Sequence, residues 1–264
     1  MKLRLSVEEF DKGLEKLSKE FKIFAPKSFQ DRGTYSDTDI VKYDVVNHFD
    51  EMVWDRKSNF SPKETILPIN QVLFYFTEKE FTESTEEEKK ILVFLRACDL
   101  NAVKRIDQIY LANGANKDTF YARRREKVKF VVVGCTESYR NCFCVSMGSN
   151  TVDNYDAAMN IRNNEIYLEI QNDSLAVFEG EKTDFNIDFV KENKFSIEVP
   201  ENIDFMHLQS HSMWDEYDTR CIACGRCNFT CPTCTCFSMQ DIYYRENQNV
   251  GERRRVWASC QVDG

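Results

Sequence analysis

Six of the chain's 11 cysteines lie in one short stretch, RCIACGRCNFTCPTCTCF, which runs from residue 220 to residue 237. Four of them have the spacing Cys-x2-Cys-x2-Cys-x3-Cys-Pro and are Cys221, Cys224, Cys227 and Cys231. This spacing is typical of the bacterial ferredoxin run, in which successive thiolates wrap one 4Fe–4S cubane. Gly225 lets the backbone pass close to the cluster, and Pro232 turns the chain away after the fourth cysteine. The four cysteines, called the ferredoxin run below, therefore predict a 4Fe–4S cluster.

Zinc and disulfides are the alternatives for so many neighbouring thiols. Structural zinc sites usually use two separated Cys-x2-4-Cys pairs, and a single tetrahedral ion has no use for three cysteines at a period of three. The N-terminus, MKLRLSVEEF, has no apolar segment of a signal peptide, so we expect a cytoplasmic protein with reduced thiols. Iron–sulfur is favoured, and a zinc-binding interaction module and a thiol-rich core stay as alternatives.

The fourth cysteine of the run raises a question about the ligand set. In two-cluster ferredoxins this cysteine ligates the other cluster, so we expect Cys231 to point away from the cavity shared by the other three. A second run should then follow, and none is present before Gly264. Either the chain is a fragment, or the site takes a ligand from Cys234, Cys236 or Cys260. We expect Cys234 and Cys236 to be packing thiols beside the cluster.

A second group of cysteines follows two apolar segments. Cys98 comes after ILVFLRA and Cys135 comes after VKFVVVG, so parallel pairing of these segments as strands would place both thiols at the carboxyl edge of a sheet. Cys142 and Cys144 follow in a loop that can return to this edge. Cys98 also opens a helix, whose N-terminal dipole favours a thiolate. These four thiols, called the sheet-edge group below, predict a possible second metal site, and the alternative is a set of buried core cysteines.

A strand–helix–strand pattern positions the sheet-edge group. ILVFLRA (91–97) reads as a strand, DLNAVKRIDQIYLAN (99–113) as a helix and VKFVVVG (128–134) as a strand, which implies parallel pairing in an α/β sheet. The other predicted elements are a capped helix over 7–20, a strand ended by Pro26, irregular chain over 27–70, a short buried strand at 73–77, a helix at 118–127, antiparallel strands within 151–200, among them EIYLEI and LAVFEG, and a helix over 203–218.

These elements predict an α+β protein in two parts. Residues 1–200 form an α/β domain with a mixed sheet, which contains the sheet-edge group. Residues 201–264 form the start of a helical ferredoxin-type domain, which contains the ferredoxin run. A chain of 264 residues is long enough to bury a sizeable core.

Composition excludes several other classes of protein. The formal net charge of −9 argues against a general nucleic-acid binder, which needs a basic surface. The longest apolar runs, ILVFL and FVVVG, are far shorter than the ~20 residues that span a bilayer. No Gly-rich phosphate loop and no GxSxG motif is present, so we expect no bound FAD or NAD and no catalytic centre on this chain.

Several stretches together resemble a known family. They are SPKETILPINQVLFYF (61–76), RACDLNAVKRID (96–107), FYARRRE (120–126), CFCVSMG (142–148) and CIACGRCNFTCPTCTC (221–236). In these the chain resembles the A subunit of anaerobic sulfite reductase, and it is also similar to the β subunits of sulfhydrogenase-type hydrogenases. Members of the family carry two ferredoxin runs, whereas this chain shows one, which favours the interpretation of the chain as a fragment.

The resemblance implies a function in electron transfer. It implies an iron–sulfur subunit that relays electrons from a flavin- and nicotinamide-binding subunit to a sirohaem-containing catalytic subunit, which reduces sulfite to sulfide. For the hydrogenase branch, the corresponding subunit belongs to a sulfhydrogenase. In either case it implies protein partners, with no nucleic acid and no membrane.

Overall fold

The structure is a computed structural model that describes residues 1–33, 35, 37–85, 89–246 and 248–258. Its strands are β1 (Lys2–Ser6), β2 (Phe21–Phe29), β3 (Ile40–Val45), β4 (Asn70–Phe76), β5 (Phe81–Glu83), β6 (Lys90–Leu95), β7 (Val128–Val133), β8 (Ala157–Arg162), β9 (Glu165–Ile170), β10 (Glu181–Lys182), β11 (Phe237–Tyr243) and β12 (Gly251–Trp257). Its helices are α1 (Val7–Ser18), α2 (Ala97–Leu111), α3 (Thr119–Glu126), α4 (Phe205–Gln209), α5 (Met213–Arg220) and α6 (Arg226–Thr230). Short 3₁₀ helices lie at Phe49–Glu51, Pro62–Thr65 and Asp173–Leu175.

The large sheet has the strand order β10-β1-β9-β8-β7-β6-β2-β3. Its centre is parallel, because β2 pairs with β6, β6 with β7 and β7 with β8 in the same direction. Its outer strands pair antiparallel. The predicted mixed sheet and the predicted parallel pairing of the two apolar segments are therefore confirmed.

Two apolar clusters cover the faces of this sheet. On one face, α1 buries Phe10, Leu14 and Leu17 against the strands. On the other face, α2 and α3 pack over β6 and β7, with Ile106 and Tyr121 fully buried. The cap predicted for α1 is present as a capping box. The Ser6 hydroxyl accepts from the Glu9 amide, and the Glu9 carboxylate accepts from the Ser6 amide. Burial of both faces explains the continuous apolar runs of β6 and β7.

Three predictions of secondary structure are wrong. β2 does not stop at Pro26 but continues to Phe29, because β6 accompanies it only as far as Phe24 and a proline is tolerated where a strand has one neighbour. Residues 27–70, which were expected to be irregular, contain β3, and this strand pairs antiparallel with β2. LAVFEG is no strand: it contains the end of a 3₁₀ helix and a loop, from which Phe178 stacks on Phe10.

The small sheet joins two strands from residues 70–83 to two strands from residues 237–257. Its order is β11-β12-β4-β5, with every pair antiparallel. The part of the chain after residue 200, which was expected to be helical, contains the helices α4, α5 and α6. A β-hairpin formed by β11 and β12 follows them. Because β12 pairs with β4, a sheet crosses the expected domain boundary at residue 200. The predicted strand at 73–77 belongs to this sheet and buries only Leu73.

A buried arginine docks the small sheet on the helices. Arg255 of β12 is 6% exposed, and it donates to the Asp118 carboxylate at 2.5 Å and to the Gln71 side chain at 2.7 Å. Its guanidinium lies 5.5 Å from the Tyr110 ring centroid and 5.4 Å from that of Phe237. Asp118 also caps α3, so this one contact joins the hairpin to the large-sheet part of the chain.

No helix in the described part of the chain is both long enough and apolar enough to cross a membrane.

The Arg255 contact predicts a difference between two neighbouring arginines. Replacing Arg255 with Met leaves the Asp118 carboxylate without its partner in a mostly buried place, so the protein should lose about 3 kcal/mol of stability. Arg253→Met is the matched control, because Arg253 pairs with Asp241 on the exposed side of the same strand and should change little. Urea unfolding followed by circular dichroism measures both. Equal unfolding midpoints for the two variants would contradict the docking role.

Candidate iron–sulfur sites

The ferredoxin run starts in the loop between α5 and α6 and continues through α6, so that Cys227 lies in this helix and Cys231 follows directly after it. Cys221 is extended at the end of α5, and the loop then places two residues in the left-handed region, Ala223 at φ 53° and Gly225 at φ 67°. Left-handed residues turn backbone N–H groups toward the concave side of a loop, an arrangement found at anion and iron–sulfur sites. Glycine adopts this conformation freely, whereas an alanine holds it at a cost of ~1–2 kcal/mol. Cys221 and Cys224 are exposed in this loop, and Cys227 is exposed in α6.

Cys231 is half-buried, and its surroundings favour the thiolate. Burial by itself would raise the pKa of its thiol, but hydrogen bonds from the Thr233 hydroxyl and from the backbone amides of Thr233 and Cys234, with the charge of Lys63, lower it overall. The Cys231 sulfur lies 3.4 Å from the Thr233 hydroxyl oxygen. Since the thiolate is the form that binds metals, this environment suits a ligand.

Cys234 and Cys236 follow the run at the start of the small sheet. The Cys234 carbonyl accepts from Lys63 at 3.1 Å, and the Cys236 carbonyl accepts from the Ala258 amide at 3.1 Å. These contacts involve their backbones, and the expectation that both side chains are packing thiols stays a prediction. Cys260 lies outside the described residues.

Two cysteines of the sheet-edge group lie where β6 and β7 end. Cys98 lies in the first turn of α2 directly after β6, and Cys135 follows β7. Burial is the main cause that raises the pKa of Cys98, and the charges of Asp99, Cys144 and Cys135 add to it. Burial likewise raises the pKa of Cys135, with contributions from Cys142 and Cys144. Cys135 and Cys144 therefore lie within electrostatic reach of Cys98, and Cys142 lies within reach of Cys135, whereas the convergence of all four thiols and their role as cluster ligands stay predictions.

Two asparagines hold the loop that carries Cys142 and Cys144. The Asn193 side chain accepts from the Val145 amide at 2.8 Å and donates to the Ser138 hydroxyl at 3.1 Å and the Cys144 sulfur at 3.6 Å. Asn101 of α2 donates to the carbonyls of Ser149 and Thr151. Neither asparagine is recognisable from the sequence, because a lone asparagine, whether in a predicted helix or in a weakly patterned segment, gives no signal of a distant partner.

Arg96 is the cation of the sheet-edge group. Its guanidinium donates to the Trp54 carbonyl at 3.0 Å and the Tyr139 hydroxyl at 2.8 Å, and it stacks 5.0 Å from the Tyr139 ring centroid. Its charge lowers the pKa of both Cys98 and Cys135, against the larger effect of burial. The arginine of RACD thus compensates negative charge that the thiols acquire.

The donors of the ferredoxin run are all thiols, the ligands that 4Fe–4S clusters take. Among the described residues, no three His, Cys, Asp or Glu side chains are gathered in a group that could hold a metal ion. Zn–S bonds of ~2.3 Å bring four sulfurs to about 4 Å from one another, whereas a cubane spaces its thiolates at roughly 6–7 Å. The sites offer cysteines in two groups of four, a loop with left-handed residues at one group and a cation beside each. Bound there, a cluster supplies reversible one-electron chemistry.

Helix α2 separates the two groups. Cys98 lies at its N-terminal end, and near its C-terminal end the Tyr110 hydroxyl donates to the Thr235 carbonyl at 3.2 Å. Twelve residues at 1.5 Å each give a rise of about 18 Å between Cys98 and Tyr110. The sheet-edge group and the segment that follows the ferredoxin run therefore lie near opposite ends of one helix.

The comparison with protein families indicates what the cysteines of the C-terminal part bind. Residues 220–264 match the family described as the 4Fe–4S dicluster domain, so the chain carries 4Fe–4S clusters, with a dicluster domain at its C-terminal end. This finding favours iron–sulfur over the zinc alternative.

A comparison with characterised proteins extends the likeness to the rest of the chain. The chain is 25% identical to sulfhydrogenase 2 subunit beta of Pyrococcus furiosus over 280 residues, which cover 98% of this chain and 79% of that protein. The aligned region therefore spans the part of the chain that contains the sheet-edge group as well as the part that contains the ferredoxin run. No solved structure matches the chain.

Cys224 provides the test of the ferredoxin run. Cys224→Ala removes one thiolate from the cubane, so anaerobically purified protein should lose iron, acid-labile sulfide and the broad visible absorbance of that cluster. Ile222→Ala is the matched control, since Ile222 is exposed in the same loop and offers no ligand atom. Iron analysis and EPR spectroscopy measure the change. A Cys224→Ala protein with full iron and an unchanged EPR signal would show that the assignment is wrong.

Proposed function

We propose that this iron–sulfur electron-transfer subunit relays electrons from a flavin- and nicotinamide-binding subunit to a sirohaem-containing catalytic subunit of an anaerobic sulfite reductase. The observation that carries the proposal is that α2 starts at Cys98 and contacts, near its other end, the segment that follows the ferredoxin run, through Tyr110 and the Thr235 carbonyl. A rigid helix between two cysteine groups suits a relay, because it limits changes in the distance between them. The stretches RACDLNAV and CFCVSMG, which contain three of the four sheet-edge cysteines, support the same family.

The chain's own residues have three tasks in such a relay. The thiolates of the ferredoxin run and of the sheet-edge group hold the clusters. Arg96 and Lys63 offset the negative charge of these sites, and burial with hydrogen bonds adjusts their potentials. The asparagines that hold the loop keep Cys142 and Cys144 at the sheet edge. Sulfite need not contact this chain.

A second candidate is the β subunit of a sulfhydrogenase-type hydrogenase. It is supported by the 25% identity to sulfhydrogenase 2 subunit beta over nearly the whole chain. The relay and its sites are the same in both complexes, and only the catalytic partner differs. A cytoplasmic location is part of both proposals and is supported by the absence of disulfides among the described cysteines.

Reconstitution of the complex distinguishes the two candidates. The full-length protein is purified anaerobically with its partners, and electron flow from NADH is measured to sulfite in one assay and to protons in the other. Omission of this chain should stop the NADH-driven reaction, while a reduced viologen dye still drives the catalytic subunit directly. Sulfide formation supports the sulfite reductase, and hydrogen formation supports the hydrogenase. An NADH-driven rate that is unchanged without this chain would contradict both.

The sheet-edge group has its own test in the same complex. The double variant Cys142→Ala, Cys144→Ala removes two ligands of the proposed second cluster, so it should stop NADH-driven turnover while the EPR signal of the ferredoxin-run cluster remains. Met147→Ala, an exposed position in the same loop, is the control and should leave turnover intact. The core-cysteine alternative expects the opposite result, a lower unfolding midpoint with an unchanged electron-transfer rate.

A further inference from the structure

Lys63, in the stretch SPKETILP, is a buried lysine that lies far in sequence from the cysteines it contacts. Ser61 caps the 3₁₀ helix by accepting from the Lys63 amide at 3.1 Å, and Pro62 occupies its first turn. The Thr65 hydroxyl closes this turn on the Pro62 carbonyl at 2.8 Å. Lys63 as a whole is 2% exposed. Lysine is almost never buried to this degree unless it is paired, so this position calls for a partner.

The Lys63 ammonium contacts the backbone on both sides of Cys231. Nζ donates to the Asn228 carbonyl at 2.5 Å and to the Cys234 carbonyl at 3.1 Å, and it lies 4.3 Å from the centroid of the Trp257 ring. Asn228 precedes Cys231 by three residues, and Cys234 follows it by three. The ammonium therefore joins the two flanks of Cys231. In the described part of the chain, its contacts include no carboxylate.

The charges that face this ammonium are thiols. Burying a cation costs several kcal/mol, of which two carbonyl oxygens and an aromatic ring offset a part. Burial lowers the pKa of Lys63, and the charges of Cys234, Cys231 and Cys236 act in the opposite direction. Thiolates at this place therefore stabilise the charged lysine, and the charged lysine stabilises the thiolates.

A purely structural role needs no positive charge. A neutral side chain with an amide donor could bond the same carbonyls at a smaller cost of desolvation. The feature that a lysine adds is a fixed charge next to the cluster ligand.

We propose that Lys63 is a positioning residue that supplies a fixed positive charge to the cluster ligated by Cys231 and raises its reduction potential. The inference rests on the proposed function, because it requires that this cluster carries electrons. A one-electron reductant adds one electron, the site becomes more negative by one charge, no proton moves, and Lys63 stays protonated. A cation close by stabilises the more negative state, so the potential becomes less negative.

Three replacements at Lys63 separate charge from hydrogen bonding. Lys63→Gln removes the charge and keeps a donor, Lys63→Met removes both, and Lys63→Arg keeps the charge. Lys42→Met is the matched control. Lys42 is a half-exposed lysine, and its charge acts on Glu64, the residue that follows Lys63 in the 3₁₀ helix. The full-length proteins are purified anaerobically, and dithionite titration followed by EPR gives the midpoint potential of the signal that changes in Cys231→Ser.

The expected result is a midpoint that becomes more negative in Lys63→Gln and Lys63→Met, and a midpoint close to the wild-type value in Lys63→Arg and Lys42→Met. Equal midpoints in the wild type and both neutral variants, at equal iron content, would overturn the role of Lys63 and leave the proposed function intact. Wild-type protein that binds no iron would overturn the proposed function itself, together with this inference.

A measurement on the wild type decides the matter if the neutral variants do not fold. In reduced protein labelled with ¹⁵N-lysine, pulsed EPR should show hyperfine coupling of the cluster spin to one lysine nitrogen, and Lys63→Arg should abolish it. Absence of this coupling in the wild type would overturn the inference.

Discussion

Cysteines that are partly buried must keep a negative charge if they are to hold a cluster, and this requirement explains much of the structure. Water is partly excluded at Cys98, Cys135 and Cys231, so charge on their sulfurs has to be offset by groups of the protein. The fold provides hydrogen bonds at Cys231 and one cation at each group. Arg96 comes from the end of β6, and Lys63 comes from a turn far from the ferredoxin loop in sequence.

The large and small sheets position the cysteines and the two cations, Arg96 and Lys63. Parallel pairing of β6 and β7 brings the ends of two strands to one edge, and α2 starts there with Cys98 in its first turn. The small sheet carries the segment after the ferredoxin run back to β4, and Arg255 fixes it to Asp118 at the start of α3. The turn that contains Lys63 lies directly before β4 in sequence, so the same pairing brings Lys63 to the loop.

The sequence predicted those parts of the site that are local. The spacing of the ferredoxin run, the capping box of α1 and the apolar segments of β6 and β7 are patterns within a few residues, and the structure or the family comparison agrees with each. The placement of Lys63 could not be predicted, because it depends on partners 165 and 171 residues away. Strand β3 and the hairpin of β11 and β12 were missed for a related reason, since their exposed faces leave a weak alternation.

The order of synthesis gives the small sheet a particular place in folding. Strands β4 and β5 leave the ribosome long before β12, so they form at most a two-stranded hairpin, which is marginally stable in water. The large sheet needs only residues before 183 and can fold while the rest of the chain is still being made. The edge of β4 has no paired strand until the hairpin of β11 and β12 has been synthesised, and pairing between segments so far apart in sequence forms slowly. Iron loading at the ferredoxin loop is therefore expected to be among the last steps in the maturation of the protein.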